Sequence, residues 1–519
     1  MLRLVIVLLL YVTTYVYAAK ILAVFPTPSV SHQVVFRHLT QELAKRGHHL
    51  TIITTDPVTH SKNLNITQIG VHDISYELWQ NNLIFKLEDL GSKNNIFQQT
   101  ELMAKVNMQI MCSQIEQEAV QRLIKSNGSF DLLILEAWTR QTLIYSHLFK
   151  APVILMSSLG ALFAWDEVNA GAPTHPFLYP ILIQQKHYNL SFWEKFQQLL
   201  VRNWFDRVWY KDETKEIAIF REKISKDLPD YEELRNNIDM LFLNTHPMWI
   251  NNQPLPPNVI TIWGIHKNPE RPLPKDLQNY LDSSKNGVIY LSFGSNVLSS
   301  ILPPEKVEVF VRVFSRLPYD ILWKWETDEL PGKSENIKIS KWLPQSDLLR
   351  HPKVKLFITQ GGLQSTDEAI IAGVPMIGFP MFGDQWFNVE KYVYYKIGIR
   401  LDMETLNDKE LETAIQTIIN DYSYKKNIKR LRILMNDQPQ TALDRAVWWT
   451  EYVLRHGGAK HLRAASANLS WTKYYETDFL LKLLSLLLSI LLSVITIIYL
   501  LWQRLRSNTK LKLIKIRFK

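Results

Sequence analysis

The sequence predicts an α/β protein built on doubly wound parallel sheet, with a membrane-spanning helix near its C-terminus. Three observations predict it. Short apolar runs without interior charge stand at residues 20–25, 132–135, 287–292 and 356–359, as strands buried in a parallel sheet require. Helix-prone stretches separate these runs, the alternation that gives parallel crossovers rather than hairpins. Residues 483–502 carry no charge, and about 20 such residues suffice to cross a bilayer as a helix. A chain of 519 residues is ample for two cores.

Residues 1–19 hold one positive charge at Arg3, a short apolar run over 4–10, and Ala18-Ala19, the pattern of a cleavable signal peptide. The run at 20–25 follows at once. Pro26 and Pro28 forbid a helix in the next residues, Ser29 or Ser31 can cap one running to Arg46, and Gly47 ends it before a second strand at 49–54. His32 then falls in the first helical turn, where the helix dipole disfavours imidazolium and keeps the ring ready to accept a proton. A lone His at a helix start is more often a surface residue. His48 and His49 are expected in solvent. The run at 130–135 ends in Glu136, a carboxylate of the kind that orients an imidazole, with an ordinary strand-end acid as the alternative. The stretches 74–125 and 163–226 are helix-prone and rich in Trp, Tyr and Phe. A Pro-rich linker occupies 254–274, and the strand at 287–292 ends in a turn with Gly294 and Ser295.

Residues 357–385, FITQGGLQSTDEAIIAGVPMIGFPMFGDQ, are the most informative segment. A buried strand meets Gly361 and Gly362, and Ser365, Thr366, Asp367 and Glu368 are residue types suited to the first turn of a helix. Strand, glycine turn and helix start in that order make an anion site from unpaired N–H groups and the helix dipole. Gly373-Val374-Pro375 closes the helix, 376–379 reads as the next strand, and Asp384-Gln385 falls at its C-terminal edge, where doubly wound sheets place ligand groups.

This segment closely resembles the signature of the UDP-glycosyltransferases of small lipophilic molecules. The resemblance implies the GT-B fold, two Rossmann-like domains facing a cleft, with no metal and no cofactor beyond the UDP-sugar co-substrate. It implies that Gln360, Gly361, Gly362, Gln364 and Ser365 surround the diphosphate, Glu368 holds the ribose, and Asp384 and Gln385 hold the sugar. Gln360 departs from the His of many relatives, and a neutral amide donates without carrying charge. Lys341-Trp342-Leu343-Pro344-Gln345 resembles the family's uracil-binding element, with Trp342 as a stacking platform and Leu343 and Gln345 beside it; Trp342 alone would fit a core aromatic equally well. Gly294 and Ser295 match the phosphate turn of the first C-terminal strand. The resemblance makes His32 the catalytic base and Glu136, in place of the usual Asp, its partner. Gln253 stands just before Pro254-Leu255-Pro256-Pro257-Asn258-Val259, where relatives using UDP-glucuronic acid have Arg, so UDP-glucose is the expected donor. The reaction implied is transfer of a hexosyl group to a hydroxyl of a small lipophilic acceptor with inversion. The alternatives are UDP-glucuronic acid as donor, a lipid-linked glycosyltransferase, and a non-catalytic UDP- or lipid-binding relative.

The same comparison sets the expected organisation: 1–19 signal peptide, 20–254 acceptor-binding domain, 255–457 UDP-sugar domain with a helix crossing back, 458–482 juxtamembrane linker, 483–502 transmembrane helix and 503–519 basic tail. Seven of the chain's net nine positive charges lie in that tail, from Arg504 to Lys519 without an acid, which marks its cytosolic side. The remainder is nearly neutral, which argues against a nucleic-acid partner. Lys515 and Arg517 approximate a retrieval signal, so a type I protein of the endoplasmic reticulum membrane with lumenal catalytic domains is expected. Asn65, Asn127, Asn189 and Asn468 begin glycosylation sequons. The single cysteine, Cys112, excludes an intrachain disulfide. A homo- or hetero-oligomer is compatible with the family.

Overall fold

The computed structural model describes residues 18–59, 64–81, 96–126, 128–160, 169–173 and 175–517. The expected leader lies outside these residues apart from Ala18 and Ala19, as does Asn127. The chain divides into two compact units, Met1–Ala465 and Ser466–Lys519.

The first unit contains two parallel sheets. Strands β1 (Lys20–Phe25), β2 (His49–Thr54), β3 (Ile66–Gly70), β4 (Leu132–Glu136), β5 (Val153–Ser157), β6 (Ile238–Leu243) and β7 (Val259–Thr261) form one, in the order β3-β2-β1-β4-β5-β6-β7. Strands β8 (Val288–Ser292), β9 (Asp320–Lys324), β10 (Ile337–Ser340), β11 (Val354–Thr359), β12 (Met376–Gly378) and β13 (Gly398–Arg400) form the other, in the order β10-β9-β8-β11-β12-β13. Both faces of each sheet are covered, which is why the strands read as continuous apolar runs. In β1, Ile21, Ala23 and Phe25 face one core while Leu22 and Val24 face another.

Helix α1 (Val30–Lys45) follows the two prolines and packs Val35, Phe36, Leu39 and Leu43 on the first of those faces. Ser29 occupies its N-cap with extended backbone but does not cap it; its hydroxyl is used elsewhere. Helix α2 (Ile96–Glu116) covers the sheet's other side with Met111 and Ile115. In the second half, α3 (Leu363–Ala372) starts directly after the Gly361-Gly362 turn and ends at Gly373, whose φ of +70° is the left-handed conformation that suits glycine. It begins at Leu363, so Ser365 lies in the first turn while Asp367 and Glu368 lie in the second, one turn later than expected. Helix α4 (Gln385–Tyr394) follows β12, and α5 (Ala442–His456) places Ala446, Val447 and Val453 in the core of the first sheet. That crossing has a further consequence. His48, expected in solvent, is 3% exposed, its Nδ1 accepting the Ala19 N–H at 3.2 Å with Glu451 of α5 4.0 Å from Nε2, whereas His49 is exposed.

The second unit holds α6 (Thr477–Arg517), in which Thr477–Ser507 is long and apolar enough to cross a membrane. The helix starts six residues before the expected span because Phe479, Leu480 and Leu481 continue the apolar pattern past Lys482.

After α5 the chain is pinned to the first sheet by Asp239, a buried carboxylate that accepts the N–H groups of Val153 at 2.9 Å and Ala459 at 2.7 Å. Replacing Asp239 by Ala orphans two buried donors, and hydrogen bonds to a charged group make the expected loss about 3 kcal/mol. A lowered denaturation midpoint of the detergent-solubilised chain measures this; an unchanged midpoint would assign the pin no role.

Candidate active site

Each sheet reverses its strand order once, between β1 and β4 in the first and between β8 and β11 in the second. Loops leaving neighbouring strands diverge at such a point and open a crevice at the strands' C-terminal ends. The sequence-predicted residues cluster there. His32 and Glu136 follow β1 and end β4, while Gly294, Ser295 and Gln360 to Gly362 follow β8 and β11.

His32 Nδ1 lies 3.2 Å from Oε1 of Glu136, which has no exposed surface and whose Oε2 accepts the Thr27 N–H at 3.1 Å. An ionised carboxylate only accepts, so the shared proton belongs to Nδ1 and Nε2 is left as the basic nitrogen. The longer Glu therefore reaches the ring. The Ser29 hydroxyl accepts from the Asn296 amide across the crevice at 3.2 Å.

On the opposite wall, Gly361 has φ +92°, and a Cβ there would stand 2.4 Å from Val389. Gly294 has φ +80°, and a Cβ there would stand 2.5 Å from the amide nitrogen of Gln360. Both turns thus exclude side chains, and the Gln360 amide fills the space between Gly294 and Gly362. Gln345 donates to Ser365 Oγ at 2.9 Å and to Glu368 Oε2 at 2.7 Å, and accepts from Tyr290 at 3.0 Å. Leu343 is buried, but Trp342 is 68% exposed, which removes the reading of it as a core aromatic and leaves an open ring face.

Asp384 ends the loop between β12 and α4 as the helix N-cap, and Gln385 begins α4. Gln385 Oε1 accepts the N–H groups of Met381 and Phe382, both at 2.9 Å. Asp384 Oδ2 accepts from Asn388, one helical turn on, at 2.9 Å. Asn388 also donates to the Gly361 carbonyl at 2.9 Å and accepts the Trp249 indole N–H at 2.9 Å. Asn388 was not anticipated from the sequence; its four-residue spacing from Asp384 was the one available signal.

A cavity with about 1110 Å³ of empty space, its open mouth included, joins the two walls. His32, Gln360, Gly362, Gln364, Ser365, Asp384 and Gln385 line one end and Trp79, Ile96, Met103, Phe205 and Trp209 the other. Among the described residues no Arg or Lys lines it. A second groove shares Ser31, Gly294, Ser295, Gln364 and Ser365 with it and extends past Trp342, Leu343, Gln345 and Glu368. Gln253 lines neither; it is buried and donates to the Pro173 carbonyl at 2.9 Å. Of the sequons, Asn65 and Asn189 are exposed and Asn468 is half-buried.

A family model described as UDP-glucoronosyl and UDP-glucosyl transferase matches residues 19–511. The chain belongs to this family. It is 35% identical over 491 residues to an ecdysteroid UDP-glucosyltransferase of Spodoptera littoralis nuclear polyhedrosis virus, covering 90% of this chain and 94% of that relative. It is 33% identical to the UDP-glycosyltransferase UGT5 of Dactylopius coccus, over 93% of this chain and 91% of the relative, and 28% identical to human UDP-glucuronosyltransferase 2B15, over 89% of each. Among solved structures, a UDP-glucose: anthocyanidin 3-O-glucosyltransferase in complex with UDP superposes with a TM-score of 0.55 at 16% identity, covering 84% of this chain and 99% of that one. The glycosyltransferase VinC in complex with DTDP also gives 0.55, at 15% identity over 84% of this chain and 100% of that one. The fold is therefore GT-B, and the protein is a UDP-glycosyltransferase that takes a UDP-sugar donor.

Three carboxyls line or underlie the crevice of this UDP-glycosyltransferase. Burial pushes Asp384 up to about 6, held back by the Asn388 hydrogen bond and the nearby His32. Burial likewise raises Glu368 to about 7 against the bond from Gln345. Asp367, beneath Glu368, is raised furthest by burial, to about 8, although the Trp263 indole donates to it at 2.7 Å. His266 Nε2 lies 3.7 Å from Asp367, but burial also lowers that imidazole, to about 3, so the two form no ion pair near neutrality. Between its ordinary 3.8 and about 8, folded Asp367 keeps a proton that the unfolded chain has lost. Its contribution to stability therefore falls as pH rises through that window, by at most ~1.4 kcal/mol per pH unit. In Asp367→Asn this dependence is absent, so the melting temperature of the variant relative to the parent should rise from about pH 5 to about pH 8 and then level. A constant difference across that range would mean that Asp367 ionises freely in the fold.

Proposed function

We propose that the chain transfers glucose from UDP-glucose to a hydroxyl of a small lipophilic acceptor, with inversion at the anomeric carbon. The observation that carries this reading is the His32–Glu136 pair, which leaves Nε2 of His32 basic on a cavity whose far end is apolar and whose near end holds Asp384. In the reaction, Nε2 takes the acceptor's hydroxyl proton. The freed oxygen forms a bond to the anomeric carbon while the bond from that carbon to the diphosphate breaks, and UDP departs from the opposite face. Glu136 stabilises the imidazolium that forms. Asp384 and Gln385 hold sugar hydroxyls, Glu368 the ribose, and Trp342 stacks on the base with Leu343 and Gln345 beside it.

The leaving diphosphate acquires charge where the cavity, which no described Lys or Arg lines, meets the groove that Arg271 and Lys324 line. Its direct stabilisation falls to the N–H groups at the start of α3, to Ser295 and Ser365, and to the Gln360 amide. The lack of Lys and Arg in the cavity itself favours glucose over glucuronic acid, because a second carboxylate beside Asp384 would be buried without a cationic partner of that kind. Relatives named as UDP-glucosyltransferases support the same donor. An ecdysteroid-like polycyclic alcohol, or a foreign phenol met in detoxification, suits the aromatic end of the cavity. With residues 20–254 as the acceptor half and 255–457 as the donor half, α6 anchors the enzyme in the endoplasmic reticulum membrane. Its catalytic halves are lumenal, its basic tail is cytosolic, and Asn65 and Asn189 are open to glycosylation.

Incubation of the detergent-solubilised chain with UDP-glucose and a panel of phenols and sterols, followed by released UDP, tests the reading. His32→Ala is expected to lose about 10²- to 10⁴-fold in kcat while UDP affinity is retained. Equal turnover would remove His32 as the base. Glu136→Gln is expected to cost about 10²-fold in kcat, because the ring loses the carboxylate that fixes its tautomer and stabilises the imidazolium. Exchange of the donor for UDP-glucuronic acid should lower turnover more than 10-fold, and a preference for it would overturn the donor assignment.

A further inference from the structure

The apolar end of the cavity contains two polar side chains that the proposed transfer does not use. Gln99 and Thr100 are adjacent on α2, both buried and both lining the cavity. Gln99 Nε2 donates to the Met381 carbonyl at 3.1 Å. A carbonyl oxygen can only accept, so this contact fixes which end of the amide is which. The other end, Oε1, has no hydrogen-bond partner among the described residues, and the side chain is only 2% exposed. Thr100 spends its hydroxyl proton on the Ile96 carbonyl at 2.7 Å. Both groups are thereby left as acceptors, on a wall that includes Ile96, Met103, Phe205 and Trp209.

We propose that Gln99, with Thr100 beside it, forms an acceptor-only subsite that reads a second hydroxyl on the substrate, so that the enzyme's acceptor is a diol or polyol on an apolar skeleton. This rests on the reading of the cavity as the acceptor site. Two acceptors with no proton of their own to give reward a group that brings one. An ether or ketone oxygen placed there faces two like lone pairs, and a plain hydrocarbon leaves the buried oxygen unpaired. A hydroxyl satisfies it. The reading group is also tied to the sugar end of the site. The peptide unit between Met381 and Phe382 accepts from Gln99 through the Met381 carbonyl and donates to Gln385 through the Phe382 N–H. The residue that recognises the distal hydroxyl and the residue beside the sugar thus grip one peptide unit from opposite sides.

The test uses the full chain in detergent with UDP-glucose and two series of acceptors. Isomers of naphthalenediol and dihydroxybiphenyl are each compared with their own monomethyl ether and with the parent monohydroxy compound. At least one diol should exceed both its ether and its parent phenol in kcat/KM by about 5- to 100-fold, the cost of mispairing one buried polar group. That ratio should fall towards one in Gln99→Leu and Gln99→Met and shrink in Thr100→Val. Absence of preference for any diol in the parent enzyme overturns the subsite whether or not the variants fold. Persistence of the preference in both Gln99 variants overturns it as well. If no compound releases UDP, the transfer reading has failed, and the subsite is judged from equilibrium binding of the same diol and ether pairs by quenching of cavity tryptophan fluorescence. Tighter diol binding that is lost in Gln99→Leu supports it, and equal binding overturns it.

Discussion

Asn388 holds the two sheets in register where the crevice is assembled. Its amide group makes three bonds in three directions: to the Trp249 indole from the first half of the chain, to the Gly361 carbonyl in the glycine turn, and to Asp384 on the loop ahead of its own helix. Both ends of the amide are used and the side chain is wholly buried. Because a buried amide tolerates few arrangements that satisfy it, these bonds fix the distance between the glycine turn and Asp384. They also position the loop from Met381 to Gln385 on which Gln99 and Gln385 close. One further bond crosses between the halves nearby, from Gln364 to the Ser158 carbonyl, and Trp263, just past β7 of the first sheet, donates to Asp367. The crevice is thus framed by directional polar contacts, and apolar packing fills the space behind them.

What the sequence made legible was local. Gly361 and Gly294 announce turns because positive φ is a property of one residue and its neighbours. The prolines at 26 and 28 set the start of α1, and the apolar runs name the strands. What it did not make legible depends on partners far along the chain. Gln99 is one polar residue on a long helix until Met381, 282 residues later, comes to meet it. Asn388 gains its meaning from Trp249, 139 residues earlier. His48 is buried by the arrival of α5, about which the residues around it say nothing. Trp342 was ambiguous for the opposite reason, since indole burial is decided by whether another element covers it, and here none of the described elements does so fully.

The electrostatics of the crevice follow from burial. Asp384, Glu368 and Asp367 are all raised by it, and the groups that pull the other way are outweighed: Asn388 and His32 for Asp384, Gln345 and Arg350 for Glu368, Trp263 and Lys267 for Asp367. A site of this kind holds its carboxyls only partly ionised near neutrality until a ligand brings hydroxyl donors to them. Ribose and sugar hydroxyls do so, since a hydrogen bond to the charged form favours ionisation. In the proposed reaction, donor binding would therefore release protons, chiefly from Glu368 at the ribose, since Asp384 at about 6 is already mostly ionised near neutrality.

Gln360 fits the same economy. A His at that position would place a second titrating imidazole at the diphosphate, and its charge would fade as pH rises through the range where His32 must be neutral to act. Binding of the leaving group and activation of the nucleophile would then draw on opposite protonation states of two neighbouring rings. An amide donates to phosphate at every pH, at the cost of the full positive charge that would help the leaving group most. The exchange separates the two functions. Gly294 with its positive φ and Gly362 leave the amide room to lie against both turns, so the weaker donor is at least held where the diphosphate is proposed to lie. The grip on the leaving group is then a matter of preorganised dipoles, and the pH dependence of transfer falls to His32 and the carboxyls that surround it.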